Sequence, residues 1–312
     1  MKKQNRLDVY YFINNFVFIH MVFYFLAAAV YMYFKETFPE TEKALLDFFR
    51  LYRLSGRLEI ITEVLRGVFL SIIFYYFYNT DYNRKSNVFI IAGVFWGMVL
   101  FGSASPFPGS FEGIIYTTAP FKIHLFMVLL GLSQVLMFGY IFAGRYKLDN
   151  ASDFDIKKIT RYYAAVFTVL HVITYAAAAV VFRILPDYRS VLEAGELFSF
   201  FRPPGHPAVL LAVPLQVIRG ALLSVFVFPF YYVCRGSRKN WIILFAVLLG
   251  LTGLLSPVIF HEISRLISER SPPVLLRGLP EATVQTLLFS LLFFKVDKAM
   301  EKKGLVRGED NQ

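Results

Sequence analysis

The sequence predicts an all-α integral membrane protein with about eight transmembrane helices, arranged as two tandem four-helix halves. Three observations lead to this expectation. The chain is 57% hydrophobic and 17% charged, whereas soluble domains carry about 25% charged residues. Its apolar residues are grouped into runs long enough to cross a bilayer. Many residues also recur at a nearly constant distance of 151 positions.

Eight apolar runs have the length of about 20 residues that a membrane-spanning helix needs. They lie near residues 9–34, 59–79, 87–104, 121–143, 160–184, 208–233, 240–260 and 280–297. The third and the eighth run are the shortest, and a partly re-entrant path stays open for both. Two further stretches, 44–54 and 191–201, have the pattern of short amphipathic helices that lie on the membrane surface.

The distribution of lysine and arginine predicts that both termini are cytoplasmic. With the N-terminus inside, the inner segments hold 18 of these residues and the outer segments hold 11, as the positive-inside rule requires. The first span begins with basic residues, but its apolar core is longer than that of a signal peptide, so we expect it to be retained. Because no cleavable targeting segment is recognised, a prokaryotic inner (plasma) membrane is the expected location.

The internal repeat sets the expected domain organisation. Residues 11–30 resemble residues 162–181, and the match continues through four successive spans at offsets of 151 or 153. The paired positions include His20 with His171, Tyr24 with Tyr175, Arg66 with Arg219, Gln134 with Gln285, and Phe138 with Phe289. We therefore expect two membrane repeats, 1–150 and 151–312. Because four spans return the chain to its starting side, a pseudo-two-fold axis along the membrane normal should relate the halves.

Polar residues at membrane depth form the predicted binding site. An ionisable side chain there costs about 2.5–3.5 kcal/mol to insert, so it usually faces the protein interior. The candidates share one helical face within each of four spans. They are Arg66, Arg219, His20, His171, Glu63, Gln216, Tyr24, Tyr175, Ser71 and Ser224. The arginines would form a positive pocket for an anionic small molecule or a lipid head group, and the histidines would relay protons near neutral pH.

Structural roles for the same residues stay open. Arg66 has Glu63 one helical turn earlier, and such a pair neutralises itself. Arg219 has Gln216 at that position instead, so its negative partner must come from elsewhere. The candidates for that partner are Glu112, Glu262, Glu281 and a bound ligand. An arginine that only holds helices together, which we call a structural staple, would leave the same sequence pattern if it were duplicated. The glycine that follows each arginine predicts close approach of a second helix.

The two stretches that follow a Ser-Pro dipeptide in each half differ. Residues 105–121 hold a single acid, Glu112, among prolines and glycines, which predicts a re-entrant segment or a lid. The counterpart in the second half carries His261 and Glu262. Because adjacent residues do not share a helix face, an amphipathic helix at the surface is the expected structure there.

The sequence predicts no cofactor, no metal site and no catalytic set of residues. A single cysteine, Cys234, excludes an intrachain disulfide. The five histidines lack metalloprotease spacing, and neither a Walker loop nor a nucleophile elbow occurs. No segment is long enough for a basic nucleic-acid-binding module. The lipid bilayer is the expected partner, and the sequence leaves the oligomeric state open.

Three functions fit these observations. The favoured one is a transporter or permease-like protein that binds an anionic or amphipathic solute between the halves, which predicts a cavity reaching Arg219. The second is a non-catalytic membrane subunit or sensor, which predicts that Arg66 and Arg219 are bonded to carboxylates or helix-end carbonyls. The third is an intramembrane enzyme acting on a lipid-linked substrate. Its candidate acid–base residues are Glu112, His261 and Glu262.

Overall fold

The structure is a computed structural model that describes residues 6–49, 52, 57–78, 84–103, 106–145, 161–184, 200–203, 205–235, 237, 239–254 and 279–302. Within these ranges the regular elements are helices, and an isolated antiparallel bridge joins Thr117 to Phe201. The helices are α1 (Arg6–Lys35), α2 (Glu40–Phe49), α3 (Arg57–Tyr78), α4 (Arg84–Gly102), α5 (Phe111–Tyr116), α6 (Phe121–Arg145), α7 (Arg161–Ile184), α8 (Pro207–Leu210), α9 (Ala212–Cys234), α10 (Asn240–Leu248), which continues as a π-helical turn over Leu249–Leu254, and α11 (Leu279–Lys302).

The all-α membrane class is confirmed. Among the described residues, five helices are long and apolar enough to cross a bilayer, namely α1, α6, α7, α9 and α11. Shorter apolar helices cover Ile91–Gly102, within α4, and Asn240–Thr252, which begins with α10. The helix α3 matches the second predicted span in position. Because five candidates are found and parts of the chain lie outside the described residues, the number of eight spans stays a prediction.

The helices pack as two groups with corresponding partners. In the first group α1 packs against α3 and α6, and α4 packs against α6. In the second group α7 packs against α9 and α11, and α10 packs against α11. The groups meet where α9 lies against α4, and α4 also contacts the π-helical turn. The helix α9 therefore carries its side chains into the junction between the groups.

Buried aromatic rings fill the middle of each group. Phe16 meets Phe138 at a centroid distance of 4.9 Å with an interplanar angle of 66°. Phe167 meets Phe289 at 4.7 Å and the same 66°, and each residue follows its counterpart by 151 positions. Edge-to-face rings of this kind add about 0.5–1.5 kcal/mol to the burial of their apolar surface. The same ring geometry thus supports both groups at equivalent positions.

The short helix α2 closes one end of the first group. It begins with acidic residues and buries Leu45, Leu46 and Phe49, which pack in one apolar cluster with Ile123 of α6. The surface helix predicted over 44–54 is thus partly present, because the described part of this helix is Glu40–Phe49. Its predicted counterpart over 191–201 falls almost wholly outside the described residues.

The chain between α4 and α6 folds into a tight turn that carries α5. Gly109 has φ +93°, a conformation that favours glycine. Ser110 caps α5: its hydroxyl accepts a hydrogen bond from Gly113 N at 2.9 Å and donates one to Phe107 O at 2.8 Å. A Cβ at Gly113 would lie 1.9 Å from Phe107 O, so the turn requires glycine there as well. The described part of this segment therefore forms a capped helical turn. Its role as a re-entrant segment or a lid stays a prediction.

A short segment before α8 fixes α5 in place. Thr118 N donates to Phe200 O at 2.9 Å, and Arg202 N donates to Tyr116 O at 2.7 Å. The Arg202 guanidinium also donates to Ile114 O at 2.7 Å, where the C-terminal carbonyls of a helix lack helical partners. The helix α5 is therefore held between the two groups.

Candidate functional site

Arg219 of α9 lies in the junction between the two groups, with 5% of its surface exposed. Its guanidinium donates to the carboxylate of Glu112 on α5. It also donates to Phe101 O and, at 3.0 Å, to Ser103 O. These carbonyls lie at the C-terminal end of α4, where a positive charge complements the helix dipole. Glu112, one of the candidate acids from the sequence, is therefore the negative partner of Arg219.

Gln216 and His171 complete this network. Gln216 Nε2 donates to Glu112 Oε1 at 3.1 Å. Gln216 Oε1 accepts from Arg219 Nη1 at 3.1 Å, and His171 Nε2 lies 3.2 Å from the same oxygen. Because that oxygen is an acceptor, His171 carries its proton on Nε2. We call this set of Arg219, Glu112, Gln216 and His171 the junction cluster, and its hydrogen bonds satisfy its buried polar groups without a ligand.

The equivalent residues of the first group form a different arrangement. Arg66 Nη1 donates to Glu63 Oε2 at 3.0 Å, so the predicted local ion pair is confirmed. Glu63 is fully buried. His20 Nε2 lies 3.5 Å from the same carboxylate oxygen, and this nitrogen makes no hydrogen bond with any described residue.

The glycines beside the two arginines make equivalent contacts. A Cβ at Gly67 would lie 3.0 Å from His20 Cδ2, and one at Gly220 would lie 3.1 Å from His171 Cδ2. The close helix approach that the sequence predicts at both glycines is confirmed. In each group this contact holds a histidine of the first helix next to the arginine-bearing helix.

The predicted serines bond within their own helices, and the predicted tyrosines contact other segments. Ser71 Oγ donates to Val68 O and Ser224 Oγ donates to Ala221 O, each at 2.6 Å, so both hydroxyls bond within their own helix. Tyr175 shares a hydrogen bond of 2.8 Å with the hydroxyl of Tyr116, beside the junction cluster. Tyr24 is buried, and its ring lies 5.8 Å from the ring of Tyr52.

A cavity of about 110 Å³ lies inside the first group, between α1, α3, α4 and α6. Its polar lining consists of His20, Arg66, Gln134 and Tyr52. Most of the remaining wall is apolar, with Phe95, Trp96, Leu100, Phe107 and Met127 among its residues. The favoured hypothesis placed a cavity at Arg219. The cavity found in the described residues reaches Arg66, whereas the Arg219 guanidinium is bonded to Glu112. A cavity at Arg219 stays a prediction.

Sequence reasoning missed Tyr52 as part of this wall. Tyr52 follows α2 and its hydroxyl donates to Gln134 Oε1 at 2.7 Å. Burial raises the pKa of Tyr52 well above its usual value, so the hydroxyl stays protonated and acts as a donor. The pattern of residues 44–54 indicated a surface helix. The aromatic Tyr52 near the end of that stretch was the feature of the sequence that could have indicated a contact with the cavity wall. The remaining candidates, His261 and Glu262, lie outside the described residues.

Comparison with known protein families gives a match to part of the chain. A family described as "Protein of unknown function (DUF1145)" matches residues 90–145. That stretch includes most of α4, all of α5 and all of α6, and so it contains Glu112 and much of the cavity wall. No curated protein and no solved structure matches the chain.

Proposed function

We propose that the protein is a transporter-like membrane protein that binds a small amphipathic anion in the cavity of its first four-helix group. The observation that carries this proposal is the lining of that cavity, in which Arg66 and His20 face mostly apolar walls. Ligand sites typically combine an apolar lining with a few polar groups that fix orientation. A half-buried arginine beside an apolar space suits an oxyanion attached to hydrocarbon.

The size of the cavity limits what it can hold. An apolar cavity of about 150 Å³ accommodates benzene, so the space of about 110 Å³ fits a molecule or head group of a few heavy atoms. The ligand chemistry we propose is a carboxylate or phosphate on a short apolar stem. A free small acid and the head group of a membrane amphiphile share this chemistry.

We also propose the finer architecture that the sequence predicts. It has eight spans in two halves, 1–150 and 151–312, related by a pseudo-two-fold axis, with both termini cytoplasmic in a prokaryotic inner membrane. The corresponding helix contacts of the two groups support it. The matched aromatic geometry and the matched glycine–histidine contacts support it independently.

A second candidate function is a non-catalytic membrane subunit or sensor. The junction cluster favours it, because Arg219 is bonded to a carboxylate and to two helix-end carbonyls, as a structural staple would be. We assign this structural role to Arg219 and the binding role to Arg66. An intramembrane enzyme has less support, since its candidate Glu112 is bonded to Arg219 and Gln216. Its other candidates, His261 and Glu262, lie outside the described residues.

Filling the cavity tests the proposal. A Cβ at Gly131 meets nothing within 4 Å although Gly131 lines the cavity, so Gly131→Leu should occupy the space without a backbone clash. We expect native mass spectrometry of the gently purified protein to reveal a bound organic anion that this variant lacks. A lipid-sized adduct would identify a head group, and a smaller adduct would identify a free acid.

Gly205 provides the matched control for this experiment. A Cβ there also meets nothing within 4 Å, but Gly205 lies in the turn before α8 and does not line the cavity. Gly205→Leu should keep the adduct. An adduct that persists equally in both variants, or a wild-type protein that carries none, contradicts the proposed site.

A further inference from the structure

His20 is placed to respond to any charge that enters the cavity. Its ring lines the cavity, and 8% of the residue is exposed. Nε2 makes no hydrogen bond with any described residue, and its nearest carboxylate oxygen, Glu63 Oε2, is 3.5 Å away. A carboxylate beside a buried imidazole favours its protonated form, so the His20 ring can take up a proton with modest rearrangement.

The charges around His20 limit what the cavity can bind. On α3, Glu63 and Arg66 form an ion pair, and together they carry no net charge. Tyr52 and Gln134 add neutral polar groups, and no other charged side chain lines the cavity within the described residues. An anion that entered alone would therefore leave one uncompensated negative charge in a low-dielectric interior, which is strongly unfavourable.

We propose that the cavity takes up its anion together with one proton, which the His20 imidazole accepts. This inference rests on the proposed function and deepens it by naming the substrate as an organic monoanion plus a proton. With His20 protonated, its charge and that of Arg66 balance those of Glu63 and the ligand. The anion would approach the Arg66 guanidinium, while Nε2–H of the imidazolium faces Glu63.

The second group supplies an internal comparison. His171 occupies the position equivalent to His20, but its Nε2 already donates to Gln216 Oε1 at 3.2 Å. Glu112 is already the anion beside Arg219. The junction cluster thus holds one fixed carboxylate and a histidine whose proton is committed to a hydrogen bond. In the first group the histidine instead lines a cavity and has a carboxylate, rather than an amide oxygen, beside its Nε2.

Calorimetry with butyrate as the probe tests the coupling. We expect the purified protein to take up about one proton per bound butyrate, measured by titration in two buffers with different ionisation enthalpies. Where His20 is neutral in the free protein, linkage predicts butyrate affinity to fall about tenfold for each unit of rising pH. The neutral isostere butyramide should bind with no proton uptake and no such slope.

The outcomes separate the two proposals. Butyrate binding with no proton uptake and a flat pH profile overturns the proton coupling and leaves the anion site intact. Failure of butyrate to bind at any pH overturns the anion site and the coupling with it. In His20→Gln we expect the proton uptake to disappear. The stoichiometry of the wild-type protein decides whether a proton accompanies the anion, and the His20→Gln variant decides whether His20 carries it.

Discussion

Replacing Arg219 by leucine should lower the free energy of unfolding by about 3–5 kcal/mol, because it leaves the buried Glu112 carboxylate without its partner. Glu112 is only 6% exposed, so its carboxylate would be poorly hydrated without its partner. The carbonyls of Phe101 and Ser103 would also lose their donors. Unfolding of the purified variant in mixed micelles, followed by circular dichroism during titration with sodium dodecyl sulfate, measures the loss.

Two double variants show whether this loss comes from the ion pair. Arg219→Leu combined with Glu112→Leu should recover at least half of the lost stability, because the unpaired charge is gone while the two carbonyls stay unsatisfied. Glu112→Gln combined with Gln216→Glu moves the acid to the position that Glu63 holds relative to Arg66, and should be more stable than Glu112→Gln alone. A single Arg219→Leu variant as stable as the wild type would show that the junction cluster is not a staple.

Removing the charged pair of the first group should weaken anion binding strongly. In Glu63→Gln combined with Arg66→Gln, the net charge of the pair is unchanged, so the fold keeps its electrostatic balance. The guanidinium fork that would hold the oxyanion is lost. Loss of a buried charge partner costs about 2–5 kcal/mol, so we expect the butyrate affinity to fall at least about 30-fold. Titration calorimetry below neutral pH measures this change.

The matched control for this variant is the corresponding change in the second group. Arg219→Leu combined with Glu112→Leu removes the duplicated arginine and its acid together, and it should change butyrate affinity by no more than about threefold. The reverse result would place the anion between the halves. In that case the second-group variant would lose binding while the first-group variant kept it.

Some of the site follows directly from the sequence. The Glu63–Arg66 pair could be predicted because residues three apart share a helix face. The close contacts at Gly67 and Gly220 followed from the absence of a side chain beside a buried arginine. The ion pair lies within one helix, and the two contacts depend only on the small size of glycine. The local sequence pattern was therefore sufficient to predict both features.

The remainder depends on tertiary structure. Glu112 and Arg219 are 107 residues apart, and they meet because α5 is capped, turned at Gly109 and fixed between the two groups. The sequence could name three candidate acids, but their order along the chain does not encode which one reaches Arg219.

The cavity was harder still to foresee. The cavity exists because the side chains around it do not fill the space between the helices. Protein interiors of equal hydrophobicity can differ in such packing, and amino-acid composition does not reveal the difference. Gly131 illustrates this, since a glycine in an apolar span predicts close packing but here borders open space.

The most direct test of the central claim is the location of a bound anion in a crystal structure. Crystals of the protein grown with 4-bromobutyrate allow the bromine to be located by its anomalous scattering. We expect the bromine inside the cavity of the first group, with the carboxylate bonded to Arg66 and close to His20. A bromine found beside Arg219, or only on the surface of the protein, would contradict the assignment of the binding site to the first group.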